Sequence, residues 1–121
     1  MKKILVIEDN ESNLYLLQYL LEKKGYNVII AKDGVEGVSK AINEKPVIIL
    51  MDISLPRMNG YEATRILRKN EKTKETPIIA VTSFAMTGDQ KKCIEAGCTD
   101  YIEKPIDPEQ FFETLKKYLT D

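Results

Sequence analysis

The chain has 121 residues, enough for one folded domain with a proper core but not for a second folded module. Its 18 lysine and arginine residues nearly balance its 19 aspartate and glutamate residues, which excludes both the basic patch of a nucleic-acid-binding protein and an acidic tail. We therefore expect a single domain over residues 1–121 that makes no direct contact with nucleic acid.

Targeting signals and metal-binding cysteine motifs are missing from the sequence. No run approaches the roughly 20 apolar residues that a membrane-spanning helix needs, and acidic residues follow the start too early for a signal peptide. Cys93 and Cys98 lie five positions apart in a chain without histidine, which excludes a CxxC redox motif and the usual zinc patterns. The sequence favours a cytoplasmic protein with no membrane contact, whose cysteines are reduced packing residues.

The first half of the chain alternates short apolar runs with amphipathic segments, which is typical of strands that alternate with helices. In chain order we predict a strand at 3–8, a helix at 11–24 and a strand at 27–31, with Asn10 as the N-cap of the helix and Gly25 as its stop. A turn at Asp33–Gly34 then leads to a weaker helix, which ends at Pro46, and to a strand at 47–51. The apolar residues of this weaker helix are Val35, Val38, Ala41 and Ile42. The uninterrupted apolar run at 47–51 is typical of a central parallel strand buried on both faces.

The second half continues the same alternation. We predict a helix at 61–69, a strand at 78–82, a helix at about 89–96 closed by Gly97, a strand at 100–103, and a last helix opened by Pro108 that packs Phe111, Phe112, Leu115 and Leu119 inward. Strand and helix thus alternate five times. Right-handed crossovers of this kind predict an α/β fold in which helices cover both faces of a doubly wound parallel sheet.

Reactive side chains stand at the end of four of the five predicted strands: Glu8–Asp9, Asp52, Thr82 and Lys104. The C-terminal ends of parallel strands meet at one edge, where open α/β folds bind ligands, so we expect these side chains to come together. A strand order of 2-1-3-4-5 would place Glu8–Asp9 beside Asp52. Three gathered carboxylates repel one another unless a cation lies between them, which predicts a hard divalent ion such as Mg²⁺.

This constellation resembles the receiver domain of two-component response regulators. The resemblance covers nearly the whole chain and rests on Glu8–Asp9, the segment MDISLPRMNG around Asp52, the hydroxyl of Thr82 in AVTSFA, the aromatic Tyr101, and the pair Lys104–Pro105. It implies the CheY-like form of the flavodoxin-like fold, with a five-stranded sheet in the order 2-1-3-4-5 and five helices. The segments AVTSFAM and GDQKKCIEAGCTDYIEKPI are most similar to receivers of phosphorelays and hybrid kinases, including stand-alone regulators of the cell cycle.

The resemblance implies that Asp52 accepts a phosphoryl group and becomes an aspartyl phosphate. Mg²⁺, with Mn²⁺ as an alternative, would be held by Glu8, Asp9, Asp52 and the backbone carbonyl of Ser54, with Glu8 acting directly or through a water. The protein would be a non-enzymatic signalling protein that catalyses only its own phosphorylation and dephosphorylation.

Other matching positions have implied roles around the phosphoryl group. Lys104 would pair with Asp52 at rest and with a phosphoryl oxygen after transfer, and Thr82 would donate its hydroxyl to another oxygen. We expect a cis peptide bond at Lys104–Pro105 and expect Gly60 to let the loop after Asp52 turn into its helix. Ser54 and Phe84 stand where such receivers often carry polar residues, and bulky Phe84 is expected to limit water access and lengthen the phosphate lifetime.

The resemblance also implies an output switch and partner proteins. Thr82 would move toward the phosphoryl group and let Tyr101 turn inward, which would change the face formed by the fourth helix, fifth strand and fifth helix. The donor would be a sensor histidine kinase or histidine phosphotransfer protein, and the output an unknown downstream protein to which the chain docks. Along the first helix, exposed residues either meet the donor or cover apolar surface: Ser12, Asn13, Tyr15, Leu16 and Tyr19. The oligomeric state, a monomer or a phosphorylation-dependent dimer, stays open. Whether the chain is a stand-alone protein or an excised receiver also stays open.

Three other classes of protein fit the same residues less well. A dinucleotide-binding or flavin-binding fold needs a Gly-rich phosphate loop where this chain has the repelling pair Glu8–Asp9. An aspartate-nucleophile phosphatase needs a second carboxylate where this chain has Ser54. A pseudo-receiver, which interacts without phosphorylation, should have lost residues of the site, and none is missing from the sequence.

Overall fold

The computed structural model describes residues 2–83 and 87–119. Its elements, in chain order, are β1 (Lys3–Ile7), α1 (Glu11–Lys23), β2 (Asn27–Ala31), α2 (Gly34–Glu44), β3 (Ile48–Asp52), α3 (Gly60–Lys69), β4 (Ile78–Thr82), α4 (Thr87–Ala96), β5 (Asp100–Glu103) and α5 (Pro108–Lys116). All strand pairs are parallel, and the sheet has the order β2-β1-β3-β4-β5. The predicted fold class and strand order are confirmed.

The sheet separates two apolar clusters because successive side chains of a strand point to opposite faces. One cluster packs Leu5, Ile7, Ile49, Met51 and Ala80 of the strands against α2, α3 and α4. The other packs Ile4, Val6, Ile48, Leu50 and Ile79 against α1 and α5, where Phe111 is fully buried. Helices on both faces bury the central strands, which explains why their sequences are uninterrupted apolar runs.

Side chains at the helix ends define where several helices begin and stop. Each of the N-cap residues Asn10, Asp33, Asn59 and Asp107 accepts a hydrogen bond from a backbone N–H of the first turn. Gly25 and Gly97 follow α1 and α4 with φ values of 89° and 112°, the left-handed conformation that closes a helix with least strain in glycine. The predicted cap at Asn10 and the predicted stops at both glycines are confirmed.

The second helix differs most from its prediction. Gly34 is its first residue and not part of a turn, because the Asp33 side chain caps the helix by accepting a hydrogen bond from the Glu36 N–H. Gly34 and Gly37 face the interior, whereas Val35 is 41% exposed. The periodicity of the larger apolar residues missed this face, because glycines allow α2 to pack closely without contributing apolar side chains.

Smaller differences concern the ends of the strands and helices. β1 ends at Ile7, so Glu8 lies just beyond it, while Asp52 is the last residue of β3 and not the first residue after it. α3 begins at Gly60, one residue earlier than predicted, because Asn59 and Glu62 form a capping box. Within the described ranges, no helix combines the length and the apolar character needed to cross a membrane.

Candidate functional site

The predicted site residues lie at the C-terminal edge of the sheet, as the strand order requires. Neighbouring strands end in register: Ile7 pairs with Met51, Asp52 with Val81, and Thr82 with Glu103. Glu8–Asp9 and Lys104 follow the ends of β1 and β5 directly. The topology therefore brings the acidic residues, Thr82 and Lys104 to one edge, although they are far apart in the sequence.

The three carboxylates form a compact cluster. One oxygen from each of Glu8, Asp9 and Asp52 lies within 4.8 Å of the others. Glu8 is 1% and Asp52 4% exposed, whereas Asp9 is exposed. Two of the carboxylates are thus buried, whereas the third is open to solvent.

Lys104 is the cation nearest to the buried carboxylates among the described residues. Its Nζ donates a hydrogen bond to Asp52 Oδ1 at 3.3 Å and lies 3.3 Å from Glu8 Oε1. Asp52 Oδ1 also accepts a hydrogen bond of 3.1 Å from the Ser54 backbone N–H. The sequence predicted the pair with Asp52, but the second pair, with Glu8, emerges only from the fold.

Glu8 is a buried carboxylate whose negative charge is only partly compensated by its neighbours. Its Oε2 accepts a hydrogen bond of 3.1 Å from the Asn10 backbone N–H. Its Oε1 is buried and forms an ion pair with Lys104, but within the described residues it accepts no hydrogen bond. Burial raises the pKa of Glu8 to about 7, and the neighbouring Asp52 adds to this rise, against the lowering effects of the Asn10 N–H and Lys104. An under-satisfied buried carboxylate among three suits a hard divalent cation with oxygen ligands.

Metal affinity should depend on pH near neutrality because of Glu8. A carboxylate must be deprotonated to bind a cation, and the pKa of Glu8 is raised from 4.5 to about 7. We expect the affinity for Mg²⁺ to fall about tenfold between pH 8 and pH 6, as one proton competes for the site. Isothermal titration calorimetry at several pH values measures this change. The same slope in Glu8→Gln would assign the competing proton to another group.

The remaining predicted site residues are placed as follows. Thr82 is buried at the end of β4 and is 6% exposed. Tyr101 is partly buried in β5, opposite Ala80, and borders a shallow groove with residues of α4 that include Ile94. The Lys104–Pro105 peptide bond is cis. Phe84 lies outside the described residues.

Gly60 lies where the loop after Asp52 turns into α3, and close packing requires a glycine there. A Cβ atom added to it would lie 2.6 Å from the Asp52 backbone oxygen and 2.8 Å from Ile53 Cα. Its N–H donates to the Ile53 carbonyl at 3.0 Å. Gly60 therefore allows α3 to begin in contact with the end of β3, where any side chain would displace the backbone.

One contact beside the site was not predicted. The first turn of α2 touches the loop between β3 and α3 (residues 53–59): Asp33 Oδ2 lies 3.6 Å from Arg57 Nη1, and Gly34 packs on Met58. Arg57 has a φ of 67°, which is unusual for a residue with a side chain. The sequence signal at this place is the dipeptide Asp33–Gly34, which by itself predicts a turn.

Comparisons with known proteins agree with this architecture. The family model described as "response regulator receiver domain" matches residues 4–116. The chain is 42% identical over 120 residues to the polar-differentiation response regulator DivK of Brucella anthropi, covering 99% of this chain and 98% of the relative, and 43% identical to that of Brucella ovis with the same coverage.

Solved structures show the same fold. The receiver domain of the sensor histidine kinase PA1611 from Pseudomonas aeruginosa, solved with a magnesium ion coordinated in its active-site cleft, has a TM-score of 0.91 and 37% identity, covering 97% of this chain and 96% of the other. The Vibrio cholerae chemotaxis protein CheY4 has a TM-score of 0.92 and 30% identity, covering 98% and 99%. The chain belongs to the family of response regulator receiver domains of two-component signalling.

Proposed function

We propose that the chain accepts a phosphoryl group on Asp52 from the phosphohistidine of a sensor histidine kinase or a histidine phosphotransfer protein. The observation that carries this proposal is the position of Asp52: it is nearly buried at the end of β3, between two other carboxylates and Lys104. A carboxylate oxygen of Asp52 forms the new bond to phosphorus as the bond between histidine nitrogen and phosphorus breaks, and the histidine retains the electron pair.

The residues that would hold Mg²⁺, or Mn²⁺ as an alternative, are Glu8, Asp9, Asp52 and the backbone carbonyl of Ser54. The compact oxygen cluster and the under-satisfied Glu8 Oε1 support this assignment. The magnesium ion in the cleft of the Pseudomonas aeruginosa receiver supports it independently. When bound, the cation supplies positive charge that offsets the carboxylates and the transferring phosphoryl oxygens.

Lys104 and Thr82 complete the proposed phosphoryl site. Lys104 Nζ already lies within 3.3 Å of Asp52 Oδ1, so the same ammonium can contact a phosphoryl oxygen on Asp52. Thr82 ends the neighbouring strand and offers its hydroxyl to a second oxygen. Both residues orient the phosphoryl group with donors whose strands hold them in place. Ser54 is proposed to tune the lifetime of the aspartyl phosphate, as is Phe84, which lies outside the described residues.

The proposed output is a change of the face formed by α4, β5 and α5. Movement of Thr82 toward the phosphoryl group would let Tyr101 turn further inward from its partly buried position beside α4. We infer a cytoplasmic receiver that signals by docking to a downstream protein, as a monomer or a phosphorylation-dependent dimer. The similarity to the DivK response regulators supports the signalling role.

Intact-mass spectrometry with Mg²⁺ and a small acyl-phosphate donor tests the proposed function. We expect one phosphoryl adduct on the wild type and none on Asp52→Asn, because the amide nitrogen and oxygen are poor nucleophiles in a neutral side chain. Excess chelator should abolish the wild-type adduct. An unmodified wild type would favour a phosphorylation-independent interaction module, and an adduct on Asp52→Asn would place the acceptor elsewhere.

A further inference from the structure

The first turn of α2 makes a backbone contact with the β3–α3 loop. A Cβ atom on Gly34 would collide with the Met58 carbonyl oxygen and would lie 2.8 Å from Met58 Cβ and 2.9 Å from the Met58 carbonyl carbon. Most of these atoms belong to the backbone or its first side-chain carbon, which cannot rotate out of the way. Any side chain at position 34 must therefore move either the helix or the loop.

The loop is constrained at the same place by an unusual turn. The Met58 N–H donates to the Pro56 carbonyl at 2.7 Å, which closes a three-residue turn around Arg57. The φ of Arg57, 67°, corresponds to the rare and strained form of this turn. A strained turn persists only where surrounding contacts hold it, and the first turn of α2 supplies such contacts.

Asp33 joins the two segments with its two carboxylate oxygens. Oδ1 accepts the capping hydrogen bond from the Glu36 N–H at 2.8 Å, and Oδ2 lies 3.6 Å from Arg57 Nη1. The Asp33 side chain is 17% exposed and that of Arg57 65%, so the ion pair itself is weak. Its role is to orient Arg57, while the close approach of Gly34 to Met58 supplies most of the constraint.

The contacted loop also carries groups of the proposed phosphoryl site. It begins directly after Asp52, its Ser54 N–H donates to Asp52 Oδ1 at 3.1 Å, and its Ser54 carbonyl is the proposed fourth ligand of the cation. At its other end the Gly60 N–H is bonded to the Ile53 carbonyl at 3.0 Å. The β3–α3 loop is thus closed at its base and contacts the start of α2 through Arg57 and Met58.

We propose that Gly34 and Asp33 are positioning residues, which hold the β3–α3 loop so that the Ser54 backbone carbonyl and N–H face the acidic cluster. This inference rests on the proposed function, because it concerns how the same site acquires its metal ligand. Neither residue touches the reacting atoms. They act through Arg57 and Met58, and no pattern within the sequence of the loop requires them.

The decisive comparison is between Gly34→Ala and Gly37→Ala. Both variants place the same methyl group in the same buried face of α2, but at Gly37 the three atoms nearest to the added Cβ belong to the Ile7 side chain, at 2.5–3.0 Å. We expect Gly34→Ala to bind Mg²⁺ about tenfold more weakly than the wild type, because metal affinity falls by about this factor when the groups that orient a ligand are disturbed. Gly37→Ala should lose less affinity than Gly34→Ala, since its nearest contacts are side-chain atoms of Ile7 and not backbone atoms.

Three measurements separate positioning from loss of folding. Mg²⁺ affinity comes from calorimetry, the Ser54 amide shift on metal addition from NMR, and the free energy of unfolding from urea titration in chelator. Gly34→Ala should lose affinity and change the Ser54 amide shift even where its stability equals that of Gly37→Ala. Equal affinities in the two variants would overturn the proposal.

Asp33→Asn provides a second variant that preserves the helix cap. Asparagine caps a helix as well as aspartate but lacks the charge that pairs with Arg57. We expect Mg²⁺ affinity to fall two- to threefold with the stability of α2 retained, and no change would remove Asp33 from the proposal. A wild type that binds Mg²⁺ but forms no acyl-phosphate adduct would overturn the proposed function while leaving the positioning role intact.

Discussion

Replacing Glu8 with glutamine should make the metal-free protein more stable while weakening its metal site. The folded protein holds the Glu8 carboxylate in a buried place where its pKa is about 7, compared with 4.5 for an ordinary glutamate. Folded Glu8 therefore binds a proton more readily than unfolded Glu8, so its contribution to stability is lost as pH rises from about 4.5 through 7. At pH 8 with chelator, Glu8→Gln should raise the free energy of unfolding by about 2 kcal/mol.

The pH dependence and a matched variant test this explanation. The gain should disappear near pH 4, where wild-type Glu8 is protonated in both states. Asp9→Asn should give little gain, because Asp9 is exposed, although both variants should bind Mg²⁺ at least about tenfold more weakly. Urea unfolding in chelator measures stability, and a Glu8→Gln variant that is less stable than the wild type at pH 8 would contradict the argument.

Replacing Arg68 with methionine should strongly destabilise the protein. The Arg68 guanidinium donates to the carbonyls of Gly97, Thr73, Lys74 and Thr76 and to Thr99 Oγ1, at 2.7–3.3 Å. It thereby joins the end of α3 to the loops before β4 and β5. Methionine keeps much of the apolar stem but leaves all five acceptors without this donor, so we expect a loss of about 3 kcal/mol.

A neighbouring arginine supplies the control. Arg65 is exposed on the same helix, and Arg65→Met should change the free energy of unfolding by less than about 0.5 kcal/mol. For Arg68→Met the midpoint of thermal unfolding should fall by about 10 °C. Similar midpoints for the two variants would show that water replaces the guanidinium at these carbonyls without penalty.

The two expected results have opposite signs for a common physical reason. Arg68 is a charged group whose donors are matched by fixed acceptors, so burial does not leave it unpaired. Glu8 is a charged group with too few partners, which destabilises the fold unless a cation joins it. A buried charge that weakens the fold but can bind a ligand is typical of a functional site.

The predictable part of this protein rests on local patterns. Five apolar runs alternating with amphipathic segments predicted the α/β fold, and the reactive residues after four of these runs predicted one shared edge, because parallel strands end together. Asn10, Gly25 and Gly97 marked helix ends through backbone chemistry that depends on a few neighbouring residues. The motifs around Asp52 and Lys104 then identified the family, and the comparisons agree.

The remaining features depend on distances between segments that are remote in the chain. The second partner of Lys104, the under-satisfied Glu8 Oε1 and the donors of Arg68 all require two or more strands or loops to be placed first. Gly34 shows the same limit most clearly: its sequence neighbours indicate a turn, yet its function as a glycine is to let α2 approach Met58, twenty-four positions later. Backbone propensity is local, so it predicts elements and caps, whereas close packing and charge compensation arise only when the elements meet.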